Sequence, residues 1–371
     1  MTASELRERL IDSITLLTIP GVGRARFRTL VQRLGSPGAV LGASVGDLEI
    51  IPGISRTIAT AIKNQAEPTE AGKICSQIAK YGWTVIFPES PEYPSPLAAI
   101  EDAPPMLFRL GEAWREGDRQ IAIVGTRRPT ERGRLLAYNL AGDLARAGII
   151  VVSGMADGVD ASAHYGAIEA GGKTVAIWGT SLEIVYPSGN RKLSHQIAKQ
   201  GATYSEYLPG TGPEKGYFPE RNRIIAGMSE GVVVVEAGLK SGALITAELA
   251  IEQGRELFAV PGWPDQPMSY GTNWLLKKGA RLLTGIGDIF DELPRLAGAV
   301  AARQFEAAPD LTESERQIVK LLSEEPLNID QLSRKSGVPV SDLLEYLLAM
   351  ELKGVVQELS GKRFILNAQH S

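Results

Sequence analysis

Four short segments of this chain carry residues able to hold an anion. In the first, Ile121–Thr130 (IAIVGTRRPT), an apolar run stops at Gly125, and Thr126, Arg127, Arg128 and Pro129 lead into a helix-compatible stretch. A buried strand ending in a small-residue turn at a helix start gathers backbone N–H groups at the positive end of the helix dipole. Two arginines at such a turn can fork onto phosphate oxygens, and Pro129 suits the first helical turn, where a missing donor costs nothing. The second segment, Ser153–Asp160 (SGMADGVD), follows another apolar run. Ser153-Gly154 could add N–H donors there, with Asp160 as a helix cap. The third, Glu236–Thr246 (EAGLKSGALIT), follows a run of four valines and contains Ser241, Gly242 and Thr246. Any one of these turns alone reads as an ordinary strand–helix connection; three on neighbouring strands would make one continuous anion-binding floor. The fourth segment, Lys215–Arg223 (KGYFPERNR), interleaves Lys215, Arg221 and Arg223 with Tyr217 and Phe218. That mixture suits single-stranded nucleic acid, whose bases stack on rings while cations follow the backbone.

The chemistry that is missing narrows the reading. The histidines, His164, His195 and His370, show no metal-ligand spacing with carboxylates, and His164 reads as a structural residue on a helix face. No G-x-x-x-x-G-K-[ST] loop is present, and after Gly210-Thr211-Gly212 the third glycine position of a dinucleotide fingerprint is Lys215. Asp157 and Asp160 are better explained as turn and cap residues than as a catalytic pair. No serine, cysteine or histidine has a recognisable base beside it. The expectation is therefore a protein that holds phosphates without breaking them, with no catalytic residue, no metal and no cofactor. The role of Gly179-Thr180-Ser181, at the end of a further strand, is left open.

These segments need a scaffold, and the chain supplies one. Its 371 residues are enough for two or three domains, and 44% hydrophobic and 22% charged residues describe an ordinary globular protein. A net charge of −4 means that any nucleic-acid site must be a local patch. The single cysteine, Cys75, rules out an intramolecular disulfide and reads as a small hydrophobe. The first residues form no apolar signal core, and no run approaches a membrane span. A cytoplasmic location is expected.

From 78 to 294, strand-like runs at Trp83–Phe87, Met106–Leu110, Ile121–Val124, Ile149–Val152, Thr174–Trp178, Ala202–Glu206, Val232–Val235 and Leu257–Val260 alternate with helix-period segments. Continuous valine-rich strands suit a mostly parallel, doubly wound α/β sheet buried on both faces, with binding at the strands' carboxyl ends. Residues 1–75 read as a small helical domain with one device used twice, Ile19-Pro20-Gly21-Val22-Gly23 and Ile51-Pro52-Gly53-Ile54-Ser55. It resembles the helix-hairpin-helix (SAM-like) motif, and in the first copy the turn is favoured as a phosphate contact. Residues 295–311 suit a linker. Residues 312–371 read as three helices, Glu313–Ser323, Ile329–Ser336 and Ser341–Lys353, followed by a hairpin interrupted at Ser360-Gly361, a winged-helix pattern. Residues 311–371 hold nine acidic against seven basic residues, and the groove-reading helix carries Asp342, Glu345 and Glu351. An acidic recognition helix repels phosphate, so a protein contact or a regulatory role is favoured here.

Four motifs, IVGTRRPT (123–130), VVSGMADGVDASAH (151–164), FPERNRIIAGMSEGVVVVEAGLKSGALITAELA (218–250) and AVPG (259–262), in that order and spacing, resemble the DNA-processing protein A family, DprA, also called Smf. The resemblance covers the α/β region, and the flanking units look like domains found in many members. It implies an extended Rossmann fold that binds single-stranded DNA, shields it during natural transformation and helps load a RecA-type recombinase, working as a homodimer without cofactor, metal or turnover. It places the strand on Gly125-Thr126-Arg127, on Ser153-Gly154-Met155-Ala156, and on Lys215 and Phe218, with Arg128, Arg221, Arg223, Ser241-Gly242 and Thr246 in the matching motifs. The competing reading is a nucleotide-hydrolysing enzyme. The sheet more distantly resembles phosphoribohydrolases, with Glu248 as a substitute for their acid, although the double glycine of their motif is absent.

Overall fold

The computed structural model describes residues 3–64, 66–296, 312–322, 327–352, 355–359 and 363–366. They fall into two compact units divided at Leu296.

The first unit is built on a nine-stranded sheet. Its strands are β1 (Thr84–Ile86), β2 (Leu107–Gly111), β3 (Gln120–Val124), β4 (Ile150–Ser153), β5 (Thr174–Ile177), β6 (Ala202–Ser205), β7 (Gly231–Val234), β8 (Glu256–Ala259) and β9 (Arg281–Leu282). Their order across the sheet is β1-β2-β6-β5-β4-β3-β7-β8-β9. Every pairing from β6 to β9 is parallel, and β2 joins antiparallel to both β6 and β1. The eight expected strands are all present, displaced by a residue or two; β9, only two residues long, carries too little pattern to read. β3, β4, β5, β6 and β7 are buried along their whole length, which is why the sequence shows continuous apolar runs there and no alternation. β3 lies between β4 and β7 while the chain runs outward on either side of it, so β3 and β7 flank the topological switch point. In open α/β sheets the crevice for ligand forms there, beyond the carboxyl ends of the strands.

The helices that matter most to this crevice are α8 (Glu131–Arg146), α9 (Val159–Glu169), α11 (Tyr217–Met228) and α12 (Gly242–Glu252), which follow β3, β4, β6 and β7. Each starts at the crevice edge. Thr130 caps α8, its hydroxyl accepting from Gly133 N at 3.0 Å, and Ser241 caps α12, accepting from Ala243 N at 3.3 Å.

The amino-terminal helices are α1 (Ala3–Thr18), α2 (Arg24–Leu34), α3 (Pro37–Gly42), α4 (Val45–Glu49), α5 (Arg56–Asn64) and α6 (Pro68–Tyr81). Leu16, Val22, Phe27, Leu30, Leu48, Ile54 and Ile62 form one buried cluster among them. The two hairpins face each other: Arg26 donates to the carbonyls of Gly21 (2.7 Å) and Gly53 (3.0 Å). The expected boundary at 75–78 falls inside α6. Ile14 of α1 and Ala71 and Ile78 of α6 share an apolar cluster with Trp83, Phe108 and Trp178, so these two helices pack on the sheet. The first hairpin was the favoured phosphate contact, yet Arg24, at its exit, is engaged by protein. It donates to Glu206 and Glu220, both at 3.0 Å, while Arg223 holds the other oxygen of Glu206 at 2.6 Å and Asp102 at 2.8 Å.

The second unit contains α15 (Glu313–Leu322), α16 (Ile329–Ser336), α17 (Val340–Leu352) and a small antiparallel sheet of order β10-β12-β11: β10 (Leu327–Asn328), β12 (Arg363–Leu366) and β11 (Val356–Leu359). The expected helices and hairpin are present, and β10, two residues long, is the addition. Its core is Ile318, Leu332, Leu343, Leu347, Met350 and Phe364. Val340, Leu344 and Leu348 stand exposed on α17, beside Asp342 and Glu345. Lys353, Ser360-Gly361, His370 and most of the expected linker at 295–311 lie outside the described residues.

Glu206 is the shared partner of two cations, one from each part of the first unit, and burial pushes its carboxyl pKa up while Arg223 and Arg24 pull it down. Removing it leaves the Arg223 guanidinium, 5% exposed, with one of its two anionic partners. We expect Glu206→Ala to cost about 3 kcal/mol in equilibrium denaturation, while Lys73→Ala, which breaks the exposed Lys73–Glu70 pair, leaves the transition unchanged.

Candidate nucleic-acid interface

The carboxyl ends of β3 and β7 and the starts of α11 and α12 enclose an open cleft of about 740 Å³. Gly125, Thr126, Arg127, Arg128, Lys215, Phe218, Arg221, Ser241, Gly242 and Thr246 line it. Segments separated by up to about 120 residues in the sequence thus meet at one place.

The turn after β3 is stitched to its neighbours through the backbone. Thr126 N donates to the Glu236 carbonyl at 2.7 Å, and Val159 N donates to the Thr126 carbonyl at 3.2 Å. The Glu236 side chain accepts from Thr130 N (2.9 Å) and from the Thr130 hydroxyl (2.6 Å). It sits at the amino end of α8, where the helix dipole favours a negative charge. Gly158 passes over this turn at φ +85, and a Cβ there would come within 2.7 Å of the Arg127 carbonyl carbon. The turn is therefore fixed in shape while its side chains point outward: Arg127 and Arg128 are exposed.

Four cations face the cleft from the surface, namely Arg127, Arg128, Lys215 and Lys240, and none has an ion-pair partner among the described residues. The Arg127 guanidinium stands 5.6 Å from the centroid of the Phe218 ring. Phe218 in turn meets Tyr186 at 5.3 Å between ring centroids. The cleft thus offers charges for a phosphodiester backbone and an aromatic pair for bases. Gly179, whose role the sequence leaves open, makes room for this pair, since a Cβ there would approach Phe218 Cδ1 to 2.8 Å.

Below the cleft floor lies a buried charge pair. Asp160 reaches back from the first turn of α9 and accepts from Gly154 N (3.1 Å) and Ala156 N (3.4 Å). Arg221, 4% exposed, donates to the Gly154 carbonyl at 2.6 Å and to the Ile177 carbonyl. Burial raises the Asp160 pKa to about 6, against the pull of Arg221 and of the two backbone donors. Burial also lowers that of Arg221 to about 10, with Asp160 opposing. One turn of helix away, His164 is fully buried with Nδ1 2.7 Å from Thr174 Oγ1, and burial drops its pKa to about 3, so it stays neutral.

These contacts correct several expectations. Asp160 does not cap α9, whose N-cap position is Gly158; it satisfies the N–H groups of the Ser153–Ala156 turn. Two of that turn's donors therefore already hold a carboxylate, although Ala156 lines the cleft. Ser153 is buried and spends its hydroxyl on the Ile123 carbonyl at 2.6 Å. Met155 is fully buried in the core, at φ 60, with its carbonyl taken by Asn190. Gly154 reaches only a narrower side recess, together with Trp178 and Phe218. Arg221 touches the cleft from beneath as a support. Arg223 does not line the cleft at all; it is committed to Glu206 and Asp102. Of the three cations in Lys215–Arg223, only Lys215 is exposed and unpaired.

Sequence reasoning passed over Lys240, Tyr186, Asn222 and Met268, which also line the cleft. Lys240 lies in the turn after β7, between Gly238 and Ser241, where nothing in the sequence marks it as unpaired. Tyr186 lies in a loop after β5, and nothing local places it against Phe218. The acid of the competing enzyme reading, Glu248, is exposed on α12 and does not line the cleft. Among the described residues no group of three or more His, Cys, Asp and Glu side chains is placed to hold a metal ion, and no helix is long and apolar enough to cross a membrane.

Comparison with known proteins bears on the same regions. The family model described as DNA recombination-mediator protein A matches residues 84–294. A DprA winged helix domain model matches 302–362, and a SAM-like helix-hairpin-helix tandem matches 13–67. Protein Smf of Synechocystis sp. is 36% identical over 314 residues, 75% of this chain and 79% of that protein. The X-ray structure of DNA processing protein A from Streptococcus pneumoniae superposes with a TM-score of 0.67 at 31% identity, covering 76% of this chain and 97% of that one. A structure of DNA processing protein A from Helicobacter pylori, described as giving insight into its single-stranded DNA binding mode, superposes at 0.51 with 33% identity, covering 57% and 96%.

Gly154 lies between the two buried charges: a Cβ there would meet Asp160 Oδ2 and Arg221 Nη2, both at 2.8 Å. Gly242, at the open first turn of α12, would meet nothing within 4 Å. Gly154→Ala is expected to lose about 1–3 kcal/mol in a urea titration, whereas Gly242→Ala should be neutral or gain up to about 1 kcal/mol.

Proposed function

The chain belongs to the DNA recombination-mediator protein A family, and on that footing we propose that it binds single-stranded DNA in the cleft at the β3–β7 switch point. The carrying observation is the set of four exposed cations without ion-pair partners, Arg127, Arg128, Lys215 and Lys240, ranged around the Phe218–Tyr186 pair. In a chain of net charge −4, such a local concentration has a physical use only toward an anion. A flexible single strand can thread cations and rings together, placing phosphates on Arg127 and Lys215 and a base against Phe218. Gly125, Thr126, Ser241 and Gly242 contribute the backbone and helix-terminus surface of the cleft. A duplex buries its base faces in the stack and cannot use the aromatic pair, so single strands are preferred.

The wider role is that of a mediator. The protein shields incoming single strands in the cytoplasm, works as a homodimer and helps load a RecA-type recombinase during natural transformation and recombination. Family membership supports this role. The second unit serves protein contact or regulation, because the exposed face of α17 offers Val340, Leu344 and Leu348 beside carboxylates where a DNA reader would offer cations. No step of bond breaking is assigned. The cleft's lining holds one carboxylate, Asp160, and that one is occupied by its own turn.

Gel shift with oligo-dT and with a duplex of equal length measures this directly. Arg127→Ala and Lys215→Ala should each weaken oligo-dT binding by about tenfold or more at low salt, with the wild type favouring the single strand throughout. Undiminished binding by both variants would remove the cleft from the account.

A further inference from the structure

A second, smaller cleft of about 500 Å³ opens on the other side of the turn after β3. Thr130, Arg132 and Gly133 form one wall, Val235 and Glu236 its base, and Pro261, Gly262, Trp263, Gln266 and Met268 the opposite wall. The two clefts share Met268 and are separated by the residues that connect Arg127 to Thr130. Both therefore lie beyond the carboxyl ends of the strands, on one continuous edge of the sheet. Trp263 is 70% exposed there. Trp83, Trp114 and Trp178 are buried, and Trp274, 39% exposed, faces Lys278 at 5.9 Å.

The loop carrying Trp263 is not loose. Gly262 donates to Asn273 Oδ1 at 3.2 Å and accepts from Asn273 Nδ2 at 2.9 Å. Gln266 N closes a turn on the Trp263 carbonyl at 3.1 Å, Ser269 N closes the next on Gln266 at 2.9 Å, and Ala237 N holds the Met268 carbonyl at 2.8 Å. Gly262 packs against the Ser269 side chain so closely that no Cβ would fit. An indole held out in water on a pinned loop exposes a large apolar face with little conformational entropy left to lose on binding.

We infer that Trp263 is a base-stacking platform for nucleotides that leave the main cleft, so that one single strand crosses the Arg127–Thr130 turn and occupies both clefts. This rests on the proposed binding of single-stranded DNA in the main cleft. The charges fit such a path. Arg128, exposed on the partition, and Arg132, exposed on the wall beside it, can accompany the backbone across. The carboxylate that lines this cleft, Glu236, is taken up by Thr130. Asp265, exposed in the loop, repels phosphate from the Trp263 side, turning the base and not the backbone toward the ring. Aromatic stacking accepts any base, so the second cleft extends the footprint without adding sequence preference.

The test is a dT length series from about 4 to 16 nucleotides on the wild type, Trp263→Ala, Trp263→Phe and Arg127→Ala, read by affinity and by tryptophan fluorescence. Short oligomers should bind the wild type and Trp263→Ala alike. Longer ones should bind the wild type more tightly and quench its fluorescence; Trp263→Ala should lose about tenfold of that gain and most of the quenching, and Trp263→Phe should recover much of the affinity. Arg127→Ala should weaken every length. Equal affinity and equal quenching of Trp263→Ala and wild type on long oligomers would overturn the platform and leave the main cleft standing. Failure of the wild type to bind any length would overturn both. A change in sedimentation of Trp263→Ala without DNA would assign the indole to a subunit contact and also overturn the platform.

Discussion

The cleft depends on a buried charge that the protein's own backbone holds at its floor. Asp160, buried under the floor, takes the N–H groups of Gly154 and Ala156, and Arg221 ties the Gly154 carbonyl to the end of β5. Four backbone groups at two strand ends, two N–H and two carbonyls, are closed by one carboxylate and one guanidinium. An uncompensated charge at this depth would cost several kcal/mol, so each member fixes the other. The consequence for function is a division of labour between neighbouring turns. The turn after β4 is filled by the protein's own anion. The turns after β3 and β7 are left open, with exposed cations above them.

That division explains what the sequence disclosed and what it hid. β3, β4, β5 and β7 were legible because strands buried on both faces are continuous apolar runs, and the small-residue turns after them mark the helix starts. The order of the sheet, which the sequence does not disclose, puts β3 and β7 at the switch point where the cleft opens. Side-chain destinations were another matter. Arg221 and Arg223 stand two residues apart on α11, a helix followed by valine-rich β7. The helical period turns one toward Asp160 and the other toward Glu206, and neither partner is near in sequence. Ser153 and Gly154 looked like free donors because Asp160, six residues beyond Gly154, gives no sign that it folds back. Conversely, Lys240 has no carboxylate in reach, yet a lone lysine in a glycine-rich turn carries no signal of that freedom. The boundary expected at 75–78 lies within α6, whose Ala71 and Ile78 join Ile14 of α1 and the tryptophans of the sheet in one apolar cluster, so composition changes inside a continuous helix.

The helical region is fastened to the sheet by both apolar and ionic contacts. α1 and α6 share the cluster of Trp83, Phe108 and Trp178, and Arg24, at the exit of the first hairpin, joins Glu206 beside the start of α11. The hairpin's arginine is thereby taken from any phosphate and given to the scaffold of the cleft. Lys215 and Phe218, at the start of α11, are positioned by a helix anchored at Arg221 and Arg223 on the inside and by Glu220 to Arg24 on the outside. Rigid support below and unpaired charge above is the arrangement expected of a site that must grip a flexible polymer without being reshaped by it.

The claim that unpaired cations at the switch point bind a single-stranded backbone is tested most directly by the salt dependence of oligo-dT affinity. Each phosphate neutralised on a single strand contributes about 0.7 to the slope of log K against log salt, so four cations give about −3. Lys240→Ala should reduce that slope by about 0.7 and leave folding unchanged. A slope near zero, or one that Lys240→Ala leaves untouched, would contradict the account.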